Sequence, residues 1–169
     1  RLRWEIAKQR DTDELTKLLT KNAIERKIKR YMELTPSKPA MMLVIDLDNF
    51  KHINDTFGHA YGDAVLRLMG ECIRSKGRFG GDEFVVFLPG IDDKQQVVTY
   101  VNNLVEMMKA HVRTPESANP VHGSIGIALY PKHASTYEEL FKKADEALYA
   151  SKERGKDRYT FYISKEVLK

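Results

Sequence analysis

Stretches whose apolar residues recur at helical spacing alternate with short runs that are apolar throughout, and this alternation predicts the elements. Asp11-Thr12-Asp13 supplies helix-cap chemistry. Leu15, Leu18, Leu19, Ile24, Ile28 and Met32 then continue an apolar stripe that predicts a helix to about Leu34. Thr35-Pro36-Ser37-Lys38-Pro39 breaks it. Ala40 to Leu47 is an apolar run, β-branched towards its end, and predicts a buried strand. Asp63 to Arg74 has helical periodicity, and a hairpin around Gly80 and Gly81 follows. Asp92 to Val112 reads as a long helix, and His122 to Tyr130 as a strand in which Gly123 and Gly126 mark bulges or close backbone approach. Thr136 to Arg154 is a further helix, stopped by Gly155, and Tyr159 to Ile163 a last strand. Arg1 to about Arg10 is helical in pattern but too short for a heptad. It reads either as the tail of a helix from an upstream domain or as a frayed terminus.

Strands and helices in this order predict an α+β fold, with one mixed sheet of about five strands flanked by helices. It resembles the split βαβ, ferredoxin-like arrangement, in which a first strand and a central hairpin lie side by side.

Composition narrows the classes. At 169 residues and 42% apolar the chain suits one domain with a real core. The excess of 28 Lys+Arg over 24 Asp+Glu is mild and dispersed, so nucleic acid is not expected as a partner. No run approaches a membrane span and no signal peptide is visible. The single cysteine fits a reducing compartment, with the cytoplasm as the expected location, and Cys72 lies at helical spacing as a buried small hydrophobe. Histidines at 52, 59, 111, 122 and 133 lack zinc-site spacing.

The candidate chemistry centres on Gly80-Gly81-Asp82-Glu83-Phe84, which sets two carboxylates beside a bare glycine turn at the tip of the predicted hairpin. The same residues are ordinary turn chemistry. Val44-Ile45-Asp46-Leu47-Asp48 puts a carboxylate at the end of a buried strand. If that strand neighbours the hairpin, Asp46 and Glu83 converge. With the Leu47 carbonyl they make an all-oxygen site suited to Mg²⁺; otherwise Asp46 and Asp48 are a helix cap. The amides of Asn49, Phe50 and Lys51 open a helix and can hold phosphate. Asn54, Asp55 and Asp63 can read a base edge: a carboxylate and a carboxamide match guanine's donors and acceptor.

These residues, with Asp13-x-Leu15-Thr16-x-Leu18, Asn54-Asp55-x-x-Gly58-His59-x-x-Gly62-Asp63, Ser124-Ile125-Gly126-Ile127-Ala128 and Ala144-Asp145-x-Ala147-Leu148-Tyr149-x-x-Lys152-x-x-Gly155, carry a resemblance to the GGDEF-domain diguanylate cyclases over nearly the whole chain. The resemblance implies a nucleotidyl-cyclase-like fold with its active site at the hairpin. Residues 1–12 would end an upstream signalling helix or linker from a sensory domain, and 13–169 would form the GGDEF domain. It implies Mg²⁺-dependent condensation of two GTP into cyclic di-GMP, with Mn²⁺ as an alternative ion, at the interface of two facing copies. Asp46, Glu83 and the Leu47 carbonyl would hold metal, and Asp82 would assist the ribose hydroxyl or bind metal. Asn54 and Asp63 would read guanine. Phe50, Lys51, His59, Gly80, Gly81, Lys152 and Lys156 would complete the substrate site. The competing class is a catalytically degenerate module that binds GTP or cyclic di-GMP.

Departures are few. Thr20-Lys21 stands where the family often has Asn-Arg, and Lys156 where arginine is frequent. An inhibitory Arg-x-x-Asp pair is absent as written, its positions being held by Glu71 and Arg74. Asp63 to Gly80 is also several residues shorter than the family's helix plus turn. The loop is either truly missing or cut out of the sequence, and the little chain available to turn back favours the second. Ser75 and Lys76 are then expected not to be bonded neighbours.

Overall fold

A computed structural model describes residues 11–73, 76–113 and 120–163. Among these, the chain runs β1 (Leu19–Thr20), α1 (Lys21–Leu34), β2 (Ala40–Leu47), α2 (Phe50–Phe57), α3 (His59–Cys72), β3 (Lys76–Gly80), β4 (Glu83–Pro89), α4 (Lys94–His111), β5 (Gly123–Tyr130), α5 (Tyr137–Glu153) and β6 (Tyr159–Phe161). The strands form one mixed sheet in the order β1-β3-β4-β2-β5-β6. β2 is central, antiparallel to β4 on one side and β5 on the other, while the outer pairs β1–β3 and β5–β6 are parallel. The α+β expectation holds, and the sheet gains a sixth strand only through the two-residue β1.

Period-two alternation in β2 explains why its run is apolar throughout. Met41, Leu43 and Ile45 enter one core with Phe84, Val86, Ile125 and Ile127, against residues of α3 and α4. Met42 and Val44 enter a second core with Val85 and Phe87, against α1 and α5. Both faces are covered, so no position on the strand has to be polar. The edge is different: β6 is three half-buried residues long, shorter than the strand expected to reach Ile163.

The chain departs most from its sequence pattern between Asp13 and Leu18. A helix was expected to begin there, yet the segment is a tight turn. The Asp13 carboxylate accepts from the Thr16 amide and hydroxyl at 2.8 and 2.6 Å, Lys17 takes φ 60°, and the Asp13 amide donates to the Leu18 carbonyl at 2.7 Å. Local side-chain bonding by Asp competes with the helix here. The helix starts only at Lys21, where the Thr20 hydroxyl accepts from the Ala23 amide. Other limits shift by a few residues: Asp93 and Thr136 are N-caps of α4 and α5, and the helix read from Asp63 begins earlier, at His59. Cys72 is buried and free, as expected. The expectations for Arg1 to Arg10, for Arg74 and for the Ser75–Lys76 junction lie outside the described residues.

Candidate active site at the β2–β4 edge

Strand register builds the site. Asp46 is the direct cross-strand partner of Glu83 on β4 and of Ser124 on β5, so the convergence read from sequence is realised. Directly opposed residues have Cα atoms roughly 4.5–5.5 Å apart. The turn between β3 and β4 bends through Gly81 at φ 55°, a region open to glycine at no steric cost, and Gly80 pairs with Glu83. The tip is tied back to β2: the Leu47 amide donates to the Asp82 carbonyl at 3.2 Å. Asp46, Asp82 and Glu83 thus crowd one end of the central strands.

Burial and crowding of this kind raise the carboxyls of Asp82 and Glu83. Burial, and then the Asp46 carboxylate beside it, push the Asp82 carboxyl up to about 6. Burial raises Glu83 too, followed by the charges of Asp145 and Asp46, with Lys152 and Lys21 acting the other way. Asp46 itself is only 14% exposed; its Oδ2 pairs with the Lys152 ammonium, and its Oδ1 is buried with no hydrogen-bond partner. An orphaned carboxylate oxygen among raised carboxyls is a place where a hard cation fits. No group of three or more His, Cys, Asp or Glu among the described residues forms a side-chain cage. A metal here would rest on Asp46 and Glu83 or Asp82, and take other ligands from the Leu47 carbonyl and phosphate, the pattern Mg²⁺ favours. The five histidines form no such group either.

Next to the carboxylates lies the start of α2. Asn49 occupies its N-cap position at φ 57° without capping through its side chain; that side chain accepts from the Lys156 ammonium at 3.0 Å instead. The first-turn amides at Phe50 and Lys51 therefore have no side-chain cap, and a basic group stands beside them, which suits phosphate. The Phe50 ring is buried in the core, so only its backbone can face a ligand, whereas Lys51 and His59 are exposed.

α2 and α3 meet at Gly58, and the contact joins the two candidate base readers. A Cβ at Gly62 would stand 1.8 Å from Asn54 Oδ1, so the bare backbone of Gly62, the residue before Asp63, is what makes room for the Asn54 side chain. Asn54 is half-buried and Asp63 exposed.

Three participants were not foreseen in these roles. Asp48 is buried and is not a helix cap. It accepts from Ser124 Oγ at 2.7 Å and from the Asp157 amide at 2.9 Å, anchoring the loop that carries Lys156. Asp145 on α5 sets its charge against Glu83, and Lys21 opposes it. Asp48 and Asp145 lie inside motifs read from the sequence, and Lys21 at one of its departures, but spacing alone assigned none of them these partners.

The family model described as diguanylate cyclase, GGDEF domain, matches residues 10–158. The chain belongs to the GGDEF family. Diguanylate cyclase DosC of Escherichia coli K12 is 36% identical over 157 residues, 86% of this chain and 34% of DosC. MucR of Pseudomonas aeruginosa, a bifunctional diguanylate cyclase/cyclic di-GMP phosphodiesterase, is 32% identical over 90% of this chain and 23% of its own length. The chain thus spans about a quarter to a third of these relatives. Among solved structures, the GGDEF domain of TpbB from P. aeruginosa superposes with TM-score 0.79 at 30% identity, covering 90% of this chain and 94% of that one. The coiled coil and GGDEF domain of DgcB from Caulobacter crescentus, in complex with c-di-GMP, gives TM-score 0.83 at 26% identity, covering 95% and 90%. The nucleotidyl-cyclase-like fold is therefore that of GGDEF domains, and the family is one of cyclic di-GMP signalling. No helix among the described residues is long and apolar enough to cross a membrane.

Proposed function

We propose that this GGDEF domain is an active diguanylate cyclase, joining two GTP molecules into cyclic di-GMP with release of two pyrophosphates. The observation that carries the reading is the register of Asp46 against Glu83, with the Asp82 carboxyl raised beside them. A domain that only bound nucleotide would not need three carboxylates packed at a cost in burial. Mg²⁺, held by Asp46, Glu83 and the Leu47 carbonyl, would lower the pKa of the ribose hydroxyl and offset charge on the phosphates. Asp82, its pKa moved towards neutrality, would accept the 3′-hydroxyl proton. The α2 amides and Lys156 hold the triphosphate, and Lys51 and Lys152 add charge around it. Asn54 and Asp63 pair with guanine.

One domain offers one such site, and the product joins two nucleotides with two-fold symmetry, so two loaded copies must face each other. The reading places the domain in the cytoplasm, where GTP is abundant.

Incubating the chain with GTP and Mg²⁺ and identifying the product by mass tests the proposal. Cyclic di-GMP is expected, with specific activity that rises with protein concentration. Glu83→Gln keeps side-chain volume and removes a charge, and it should lower turnover at least about 100-fold while the fold persists, since even outer partners of metal ligands cost 10–100-fold. Full activity in that variant would overturn the metal assignment.

A further inference from the structure

Lys152 is held in place by its own helix. The preceding residue, Ser151, is buried, and its hydroxyl bonds the Ile125 carbonyl at 2.9 Å and Thr160 Oγ1 at 2.7 Å. One and two turns earlier, the backbone of Leu148 and Ala144 lies directly on Gly126. α5 is thus locked to β5, and the Lys152 ammonium reaches Asp46 by its side chain alone, across 106 positions of sequence. That side chain remains 37% exposed, so its four-carbon stem can swing without moving the helix.

From this we infer that Lys152 is a built-in counter-ion of the metal site: with no metal bound it neutralises Asp46, and a divalent cation must displace it, releasing the ammonium towards the nucleotide phosphates. The inference rests on the proposed role of Asp46 as a metal ligand. An isolated buried carboxylate is costly, and a pair with one ammonium compensates only part of it. Lys152 satisfies Oδ2, while Oδ1 has no partner. A divalent ion and an ammonium cannot both sit on one carboxylate at contact distance without strong repulsion. Entry of the metal at Asp46 therefore expels Lys152 from the only acidic group among the described residues with which it forms an ion pair. By linkage, metal then favours triphosphate binding and triphosphate favours metal, because phosphate offers the expelled ammonium a new partner. Lys156 is the internal comparison: its ammonium donates to the neutral amide of Asn49, so a metal on Asp46 does not need to move it.

Mn²⁺ affinity of the chain without nucleotide, followed by the resonance of free Mn²⁺, tests this. Lys152→Met should bind Mn²⁺ about tenfold more tightly than the unaltered chain, and Lys156→Met within about twofold of it. A non-cleavable GTP analogue should strengthen Mn²⁺ binding strongly in the unaltered chain and distinctly less in Lys152→Met. Lys152→Gln keeps a donor to Asp46 and guards against a folding failure of the methionine variant; it should fall between the two. Unchanged or weaker Mn²⁺ binding by the folded Lys152 variants, with Asp46→Asn abolishing it, overturns the inference and leaves the metal site standing. Equal gains from Lys152→Met and Lys156→Met also overturn it, by showing a general effect of charge. Mn²⁺ binding that ignores Asp46→Asn removes the metal reading and the inference together.

Discussion

The Asp157 amide donates to the Asp48 carboxylate at 2.9 Å, joining the end of β2 to the loop after α5 across 109 positions of sequence. Lys156 and Asp157 adopt φ of 64° and 45°, a conformation that costs a non-glycine residue about 1–2 kcal/mol. Asp48 helps hold that strained pair, and with it the Lys156 ammonium beside α2. Asp48→Ala should therefore lower stability by about 2–4 kcal/mol in denaturant unfolding, through the lost acceptor and the unsatisfied Ser124 hydroxyl. It should also raise KM for GTP more than it lowers kcat, as seen in steady-state kinetics.

Asp63 carries a prediction about the base. Replacing it with Ser removes the acceptor pair that matches the guanine N–H donors, so the preference for GTP over ATP should fall by at least about tenfold. An unchanged ratio of kcat/KM for the two nucleotides would show that guanine is read elsewhere.

Gly126 is the contact point of α5 on the sheet. A Cβ there would lie 2.0 Å from the Ala144 carbonyl oxygen and 2.3 Å from the Leu148 amide nitrogen, both backbone atoms that cannot rotate away. Gly126→Ala should cost at least about 2 kcal/mol, in the upper half of the usual range for overpacking or beyond it. Calorimetry would show the lowered Tm. The shift of α5 should also reduce cyclase activity in protein that remains folded, because Lys152 moves with the helix.

His133 gives the domain a pH dependence remote from the carboxylates. Burial, and then the charges of Lys132 and Lys143, hold its pKa below the usual 6.5, and its Nδ1 accepts from the Leu129 amide at 2.9 Å. A depressed folded-state pKa means that the unfolded chain binds the proton more readily. Stability from this residue is thus present above pH 6.5 and is lost as pH falls from there towards the lowered folded value. The raised Asp82 and Glu83 carboxyls act the other way on the acid side, so the His133 contribution is read as a difference. From pH 7.5 down to 5, the melting temperature of the unaltered chain should drop relative to that of His133→Asn, whose side-chain oxygen can still accept from the Leu129 amide.

The central strand was legible as a short unbroken apolar run, the hairpin from its Gly-Gly pair, and α1, α4 and α5 from apolar residues recurring about every 3.6 positions. The approach of Asp46 to Glu83 followed from setting two apolar strands side by side. The turn at Asp13 to Leu18 was not legible, because Leu15, Leu18 and Leu19 also satisfy a helical stripe and only the Asp13 bonds to Thr16 decide otherwise. Nor were the partners of Asp48 and Lys152, which lie more than 70 positions away and depend on the packing of α5 against β5. Local spacing carries no information about such contacts.

Placing Asp46 on the innermost strand has a dynamic consequence. With β4 and β5 paired on its two sides, the β2 backbone can exchange its amide hydrogens only when the whole sheet opens. The backbone that carries Asp46 therefore opens only with the fold itself, while the hairpin tip and the first turn of α2 lie at the ends of their elements, where opening costs less. Damage at those outer parts can silence the chemistry without registering in the melting of the domain.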